Sequence, residues 1–129
     1  MPKVVITFGS YDLLHFGHVR LLERARALGD RLVVGVSSDA LNMKKKQRAP
    51  IVNEEHRMAI IAALRCVDEV FLEESLELKQ QYIKDHNATV LTMGDDWKGK
   101  FDKLADEVVY FERTPAISTT ELIERISNI

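Results

Sequence analysis

The sequence predicts a doubly wound α/β fold, in which helices cover both faces of a single five-stranded parallel sheet. Two observations carry this prediction. Short β-branched runs alternate along the chain with segments of helical spacing, an order typical of right-handed strand–helix–strand crossovers. The run Arg31–Ser37 is apolar almost throughout, as expected of a strand that helices cover on both sides. The length of 129 residues suits one compact domain with a core.

The first half of the chain supplies two strands and two helices. The predicted elements are, in order, a strand over 3–8, a helix with Leu21, Leu22, Ala25 and Leu28 at apolar positions and Gly29 as its stop, a strand over 31–37, and a helix that Asn53 caps and whose apolar face includes Met58 and Ile61. Between the second strand and the second helix, the polar segment through Pro50, which contains Lys44–Arg48, is interpreted as a loop.

The second half of the chain supplies three further strands and two helices. The predicted elements are a strand over 67–72, a weakly patterned helix over 76–86, strands over 89–93 and 107–111, and a last helix that begins at Ser118 and buries Leu122, Ile123 and Ile126. The spacing of Ser118 and Glu121 fits a capping box.

Composition narrows the functional classes. A formal net charge of −2 argues against a nucleic-acid surface, which needs a basic excess. The single cysteine, Cys66, excludes an internal disulfide and a cysteine-rich zinc site, and its apolar neighbours favour a buried thiol. Since no long apolar stretch or signal-like N-terminus is present, we expect a cytoplasmic protein without membrane insertion.

Polar motifs follow four of the predicted strands. They are Gly9–Asp12 with His15 and His18 after the first strand, the lysine-rich segment after the second, Gly94–Trp97 after the fourth, and Arg113–Thr114 leading to Ser118–Thr120 after the fifth. Parallel α/β sheets bind ligands beyond the carboxyl ends of their strands. We therefore expect these motifs to meet at one edge of the sheet.

The segment His15-Phe16-Gly17-His18 is the most informative of these motifs. It lies at a strand-to-helix junction, where free backbone N–H groups and the helix dipole favour phosphate. Gly17 lets phosphate oxygens approach the backbone, and imidazole N–H groups stabilise charge during phosphoryl attack. The alternative is that one histidine caps the helix and the other packs. Zinc is disfavoured because the remaining histidines, His56 and His86, lack metal-like spacing.

The other motifs leave alternatives open. The run Lys44–Arg48 is either a solvated loop or a lid that neutralises substrate phosphate. Asp95 and Asp96 suit substrate hydroxyls or a magnesium ion bound to phosphates, and Trp97 either lines a pocket or anchors its loop. Arg57 and Arg65 suit an anionic substrate or surface ion pairs.

Two motifs carry a resemblance to a known family. His15–His18 fits a His-x-Gly-His signature, and Arg113–Thr120 follows Arg-Thr-x-Gly-Ile-Ser-Thr-Thr except that Ala116 stands at the glycine position, after Pro115. The chain thereby resembles the cytidylyltransferase family of nucleotidyltransferases. The segment Gly94–Trp97 and the small size of the chain are most similar to those of family members that act on glycerol 3-phosphate.

The resemblance implies a single nucleotidyltransferase domain over residues 1–129 and a reaction. CTP and glycerol 3-phosphate give CDP-glycerol and pyrophosphate by direct attack at the α-phosphate, with Mg²⁺ bound to the triphosphate. It also implies a homodimer, for which Met58, Ile60 and Ile61 are candidate interface residues, and a product used for a cell-surface polymer such as teichoic acid. Alternatives are an FAD synthetase, a cytidylyltransferase for another alcohol phosphate, and a nucleotide-binding protein without catalysis.

The same resemblance implies roles for individual residues. The catalytic set is His15, His18, Lys45, Arg113, Ser118 and Thr119. The nucleotide-binding set adds Phe8, Gly9, Ser10, Asp12, Gly17, Asp96, Thr114 and Ile117 to His15, His18, Arg113, Ser118 and Thr119. The residues implied for the acceptor substrate are Lys45, Lys46, Arg57, Arg65, Asp68, Lys79 and Trp97.

Overall fold

The computed structural model describes residues 2–114 and 118–129. Five parallel strands form one sheet in the order β3-β2-β1-β4-β5. The strands are β1 (Val4–Gly9), β2 (Arg31–Ser37), β3 (Glu69–Glu73), β4 (Val90–Gly94) and β5 (Glu107–Phe111). The helices are α1 (Phe16–Arg26), α2 (Asp39–Lys46), α3 (Glu54–Ala62), α4 (Lys79–Asp85) and α5 (Thr119–Ser127), with 3₁₀ turns at Leu76–Leu78 and Asp95–Trp97.

Helices cover both faces of the sheet, and successive strand residues divide between two cores. On one face, Val5 and Val34 pack in a cluster with Leu22 of α1 and Ile61 of α3. On the other face, Ile6, Val33 and Leu91 pack with Ile83 of α4. Because side chains alternate along a strand, these two clusters require a sheet that is buried on both sides. The predicted doubly wound parallel fold is confirmed.

Several predicted boundaries agree with the structure. The bounds of β2 and β5 are those expected from their apolar runs. Asn53 caps α3, where its Oδ1 accepts a hydrogen bond from the backbone N–H of His56 at 2.9 Å. Ser118 caps α5 in the same way, through the N–H of Glu121 at 3.1 Å.

The principal correction concerns the lysine-rich segment, which begins as helix α2 and not as a loop. The Ser38 hydroxyl caps this helix by accepting from the N–H of Leu41 at 3.0 Å. Leu41 and Asn42 supply its buried face. Two buried residues in one short helix form too narrow a stripe to be recognised in a polar sequence.

The remaining differences lie at element ends and at exposed faces. Strands β1, β3 and β4 begin and end later than predicted, and the helix expected over 76–86 divides into a 3₁₀ turn and α4. Ile126 is 61% exposed, since α5 follows the edge strand β5, and Leu122 and Ile123 are only partly buried. Cys66 is likewise partly buried. Of the candidate interface residues, Ile61 belongs to the core and only Ile60 is largely exposed.

No helix in the described ranges has the length and hydropathy needed to span a membrane.

A glycine fixes the close approach of the α1–β2 turn to strand β1. A Cβ atom at Gly29 would lie 2.6 Å from the Lys3 carbonyl oxygen and 2.8 Å from Val5 Cγ2. That carbonyl cannot move freely, because it accepts the N–H of Asp30 at 2.7 Å.

We therefore expect Gly29→Ala to destabilise the protein by roughly 1–3 kcal/mol through overpacking against the backbone. Urea denaturation monitored by circular dichroism measures this change. Gly94→Ala is the matched control, since a Cβ atom there has nothing within 4 Å. Equal free energies of unfolding for the two variants would contradict the packing argument.

Candidate active site at the carboxyl edge of the sheet

Two adjoining cavities open at the carboxyl ends of the strands. The β1–β4 cavity, of about 440 Å³, is lined by residues that include Ser10, Lys45 and Trp97. The α5 cavity, of about 250 Å³, is lined by residues that include His15, Arg113 and Ser118. Residues common to both cavities are Gly94, Phe111, Leu21, His18, Lys46, Asp96 and Thr119. The motifs that follow strands β1, β2, β4 and β5 therefore meet at one edge, as the sequence predicts.

The two histidines of the His-x-Gly-His segment form a stacked pair at the start of α1. His15 is the N-cap, and its Nδ1 accepts the N–H of Gly17 at 3.0 Å. His18 Nδ1 accepts the N–H of His15 at 3.2 Å, which completes a reciprocal cap. The ring centroids are 3.8 Å apart. Since each Nδ1 is an acceptor, the proton of each neutral ring lies on Nε2, which remains available as a donor. Capping and ligand binding are therefore compatible for this pair.

Burial keeps both imidazoles in the neutral form. It lowers the pKa of His18 to about 4, and the adjacent His15 ring lowers it further, since two imidazolium charges would repel each other. Burial also lowers the pKa of His15. At neutral pH the pair therefore presents two uncharged N–H donors, of which His18 lines both cavities.

The loop between β1 and α1 is fixed by Asp12 at a strained turn. The flanking residues Tyr11 and Leu13 have φ angles of 54° and 52°, in the left-handed region that such residues seldom adopt. The Asp12 carboxylate accepts the backbone N–H groups of Ile51 and Val52 at 2.8 and 2.9 Å. Its carbonyl oxygen accepts the Thr119 hydroxyl at 2.8 Å. Asp12 thus holds three segments of the cleft together, and both of its carboxylate oxygens are already engaged.

Arg57 contacts the cleft walls from behind and lines neither cavity. Its guanidinium donates to the carbonyl oxygens of Ser10, Ser37 and Val52, each at 2.8 Å. It also pairs with Asp39 at 2.6 Å, and the side chain has no exposed surface. The structure thus places Arg57, which the resemblance implies for the acceptor substrate, outside both cavities. The residue instead joins the ends of β1 and β2 to the segment before α3.

Helix α2 brings two lysines to the cleft. Lys45 and Lys46, which the resemblance implies for the acceptor substrate, both line the β1–β4 cavity. The ammonium group of Lys45 donates to the Ser37 hydroxyl at 3.1 Å. Burial lowers the pKa of Lys45, and the carboxylate of Glu73 opposes that effect. In the turn after β1, the Ser10 hydroxyl donates to Asn42 Oδ1.

Three residues expected near the acceptor substrate lie elsewhere. Arg65 and Asp68 precede β3, at the amino edge of the sheet. Asp68 accepts the N–H of Leu32 at 2.8 Å and pairs with Arg26 at 3.3 Å, while Arg65 lines a separate cavity. Lys79 is 2% exposed and lines neither cavity of the cleft. Its Nζ lies 2.6 Å from Glu73 Oε2.

The segment after β4 closes one side of the cleft. Asp96 lines both cavities, and Trp97 lines the β1–β4 cavity while packing against Phe101 at a centroid distance of 5.4 Å. Lys100, which the sequence analysis gave no role, also lines this cavity, with its Nζ 5.5 Å from the Trp97 ring centroid. The sequence signal that could have indicated Lys100 is its position three residues after Trp97, a predicted site residue.

The α5 cavity collects the residues of the closing motif. Arg113, Thr114, Ser118, Thr119 and Thr120 line it together with Gly17 and Arg48. Arg48, at the end of the basic run, had no individual role in the sequence analysis. Phe8 and Gly9 line the neighbouring β1–β4 cavity. Ile117, Pro115 and Ala116 lie outside the described residues.

This fold and this site together define an α/β nucleotidyltransferase, in which a histidine-capped helix and a hydroxyl-rich helix start face one cleft. The model of the family described as cytidylyltransferase-like matches residues 6–125. The chain belongs to the cytidylyltransferase-like family.

Individual relatives agree with this assignment. The chain is 53% identical to a glycerol-3-phosphate cytidylyltransferase of Bacillus subtilis (strain 168), over 98% of this chain and 99% of that protein. It is 43% identical, over the same shares, to a glycerol-3-phosphate cytidylyltransferase of Bacillus spizizenii. Among solved structures, the lipopolysaccharide core biosynthesis protein from Thermoplasma volcanium GSS1 is similar with a TM-score of 0.77 and 28% identity, over 88% of this chain and 99% of that one.

The neutral histidine pair predicts a stability that depends on pH. The pKa of His18 falls from its ordinary value of 6.5 to about 4 on folding, so the unfolded chain binds the proton more tightly. The free energy of unfolding should therefore decrease as the pH is lowered from 6.5 towards 4, with up to about 3 kcal/mol from His18.

Urea denaturation of wild type and His18→Asn across this pH range measures the contribution. Subtracting one curve from the other removes the titration of carboxylates that both proteins share. His56→Asn, at an exposed position of α3, is the matched control and should follow the wild type. A difference between wild type and His18→Asn that does not vary with pH would contradict the assignment.

Proposed function

We propose that this protein transfers the cytidylyl group of CTP to glycerol 3-phosphate and releases pyrophosphate, within a single nucleotidyltransferase domain over residues 1–129. The observation that carries the proposal is the position of His18, a neutral N–H donor on the boundary between two adjoining cavities. One cavity suits the nucleotide and the other suits the acceptor. The relatives named glycerol-3-phosphate cytidylyltransferase supply the identity of the two substrates.

The α5 cavity receives the triphosphate of CTP. Arg113 supplies a permanent positive charge, and Thr114 and Ser118 supply hydroxyl donors. Thr119, whose hydroxyl proton is donated to the Asp12 carbonyl oxygen, lies at the amino end of α5, where the helix dipole favours anions. Phe8, Gly9 and Ser10, which the resemblance also implies for the nucleotide, line the neighbouring β1–β4 cavity at the end of β1. Gly17 lines the cavity at the start of α1, where the absence of a side chain leaves room for phosphate oxygens.

The β1–β4 cavity receives the acceptor phosphate. Lys45, Lys46 and Lys100 provide three cations on its wall, which suits a dianionic phosphate monoester. Trp97 supplies an apolar surface beside them. The Arg57, Arg65, Asp68 and Lys79 side chains, which the resemblance also implies for the acceptor, do not line this cavity.

The chemistry is a direct displacement at phosphorus. An oxygen of the acceptor phosphate attacks the α-phosphorus of CTP, a new P–O–P linkage forms, and the bond to the β-phosphate breaks as pyrophosphate leaves. A phosphate monoester is already ionised at neutral pH, so no protein group need remove a proton. Catalysis therefore rests on alignment of the two phosphates and on donors at the reacting oxygens.

The carboxylates of this cleft suit a magnesium ion that is bound together with the triphosphate of CTP. Mg²⁺ usually binds to one or two carboxylates together with substrate phosphates and water. The part of the chain that the structure describes holds no group of three or more histidine, cysteine or acidic side chains suited to a metal. Asp95 and Asp96, which both line the α5 cavity, are the carboxylates available to it. When bound, the ion would neutralise phosphate charge.

The cellular setting follows from the same proposal. The protein acts as a homodimer in the cytoplasm, and its product, CDP-glycerol, supplies a polyol-phosphate cell-surface polymer such as teichoic acid. Ile60 on α3, which is 41% exposed, is the candidate interface residue that remains outside the core. Light scattering coupled to gel filtration of wild type and Ile60→Lys tests the dimer.

The reaction is tested by pyrophosphate release in the presence of Mg²⁺. CTP and ATP are each combined with glycerol 3-phosphate, with other alcohol phosphates and with FMN. We expect release with CTP and glycerol 3-phosphate alone. Release with ATP and FMN would identify an FAD synthetase, and release with CTP and another alcohol phosphate would replace the named acceptor. Nucleotide binding without release under every condition would indicate a protein that binds without catalysis.

The histidine pair gives a second prediction for this reaction. His18→Ala should reduce turnover by ~10²–10³-fold, because it removes a donor at the reacting phosphates in the manner of an oxyanion-hole group. Steady-state kinetics at saturating substrates measures the loss, and a thermal melt establishes that the variant is folded. His56→Ala serves as the control and should retain wild-type turnover. A folded His18→Ala variant with turnover near wild type would contradict the proposed role.

A further inference from the structure

A buried carboxylate lies behind the cleft and has no part in the steps described above. Glu73, the last residue of β3, is 1% exposed and lines neither cavity. Its Oε2 accepts from Lys79 Nζ at 2.6 Å, and its Oε1 accepts from the Ser37 hydroxyl at 3.0 Å. A carboxylate is seldom buried unless it is paired and hydrogen-bonded. Glu73 meets this condition through Lys79 and Ser37.

The hydroxyl of Ser37 links this carboxylate to the cleft. A serine hydroxyl has one proton, and here that proton is donated to Glu73. The oxygen is then an acceptor for Lys45 Nζ at 3.1 Å. Lys45 uses one of its three N–H donors in this contact, and the other two remain for a ligand in the β1–β4 cavity, which Lys45 lines.

The far side of the carboxylate is equally constrained. Lys79 Nζ lies 3.8 Å from the centroid of the Phe8 ring and 5.1 Å from that of Phe101, so its position is fixed by both charge and packing. Lys79 thus holds Glu73 in place, and Glu73 in turn orients the Ser37 hydroxyl. Burial lowers the pKa of both lysines, while Glu73 opposes that effect at each of them.

We propose that Ser37 and Glu73 are positioning residues that hold the ammonium group of Lys45 at the acceptor-phosphate site. A free lysine side chain samples many rotamers, and fixing it on binding costs side-chain entropy. A lysine that is already held at Ser37 avoids much of this cost. The link consequently favours binding of the acceptor, and not of CTP. This inference rests on the proposed function for the identity of the ligand.

The kinetic test is a double-mutant cycle of Ser37→Ala and Lys45→Met. Ser37→Ala removes the hydroxyl without adding volume to a fully buried position. We expect it to raise KM for glycerol 3-phosphate by about tenfold, equivalent to about 1.4 kcal/mol, and to leave KM for CTP unchanged. In the Lys45→Met background the same substitution should have no further effect on KM. An equal effect of Ser37→Ala in both backgrounds, or an equal rise of both KM values, would overturn the proposal.

Glu73→Gln tests the other half of the link and keeps the size of the side chain. It should also raise KM for glycerol 3-phosphate, because the ammonium of Lys45 loses a nearby negative charge. Glu69→Gln, at the opposite end of β3, is the matched control and should not change either KM. If Glu73→Gln does not fold with Lys79 left unpaired, the Ser37→Ala cycle decides the question alone.

A second measurement does not depend on turnover. The rate of acetylation of Lys45 is compared with that of the exposed neighbour Lys44 by mass spectrometry, without substrates, in wild type and Ser37→Ala. We expect Lys45 to react severalfold faster in the variant and Lys44 to react at the same rate. Faster acetylation in a protein whose wild type releases no pyrophosphate would support the link and refute the proposed reaction. Unchanged acetylation in an active enzyme would refute the link and leave the reaction standing.

Discussion

The cleft depends on one buried guanidinium. Arg57 donates four hydrogen bonds, to three carbonyl oxygens and to Asp39, and these acceptors belong to the end of β1, the end of β2, the segment before α3 and the start of α2. A guanidinium is planar, so its donors fix the directions of these segments as well as their distances. Removing Asp39 would leave the charge of the fully buried Arg57 without a counterion, which is costly. The position of the lysine helix α2 relative to the turn after β1 is thus set by a residue that lines neither cavity of the cleft.

Two further residues hold the same segments from other directions. Asp12 binds the backbone before α3 and the first residue of α5, while Asn42 binds the turn after β1 and, through its amide nitrogen, the carbonyl oxygens of Ser37 and Ser38. A reaction that depends on alignment of two phosphates gains from a rim whose geometry is fixed before they bind. The buried polar side chains around this cleft therefore fix its geometry.

The sequence predicted the sheet and the edge of the sheet that carries the site, because both follow from patterns of neighbouring residues. The apolar runs of β2 and β5 fix their bounds, and motifs after strand ends converge in any parallel sheet. Side-chain partners across the fold were not predictable in this way, so the sequence left Arg57 open between an anionic substrate and a surface ion pair, and only the resemblance implied the substrate. The positions of Arg65 and Asp68, in contrast, were predictable, since both residues precede β3. A strand's preceding residues lie at its amino end, and topology alone would have placed them away from the cleft.

Charged and neutral side chains occupy different parts of the cleft. Permanent or near-permanent cations line its two arms, with Arg113 and Arg48 at the α5 cavity and Lys45 and Lys100 at the β1–β4 cavity. The neutral His18 lies where the arms meet. Cations distributed along both arms attract two anionic substrates whatever the progress of the reaction. In the proposed reaction, a neutral N–H donor at the junction would add little to that attraction, and its hydrogen bond would strengthen as charge develops on a phosphate oxygen next to it. Burial, which keeps the pKa of His18 low, therefore suits this side chain to the role proposed for it in the transition state.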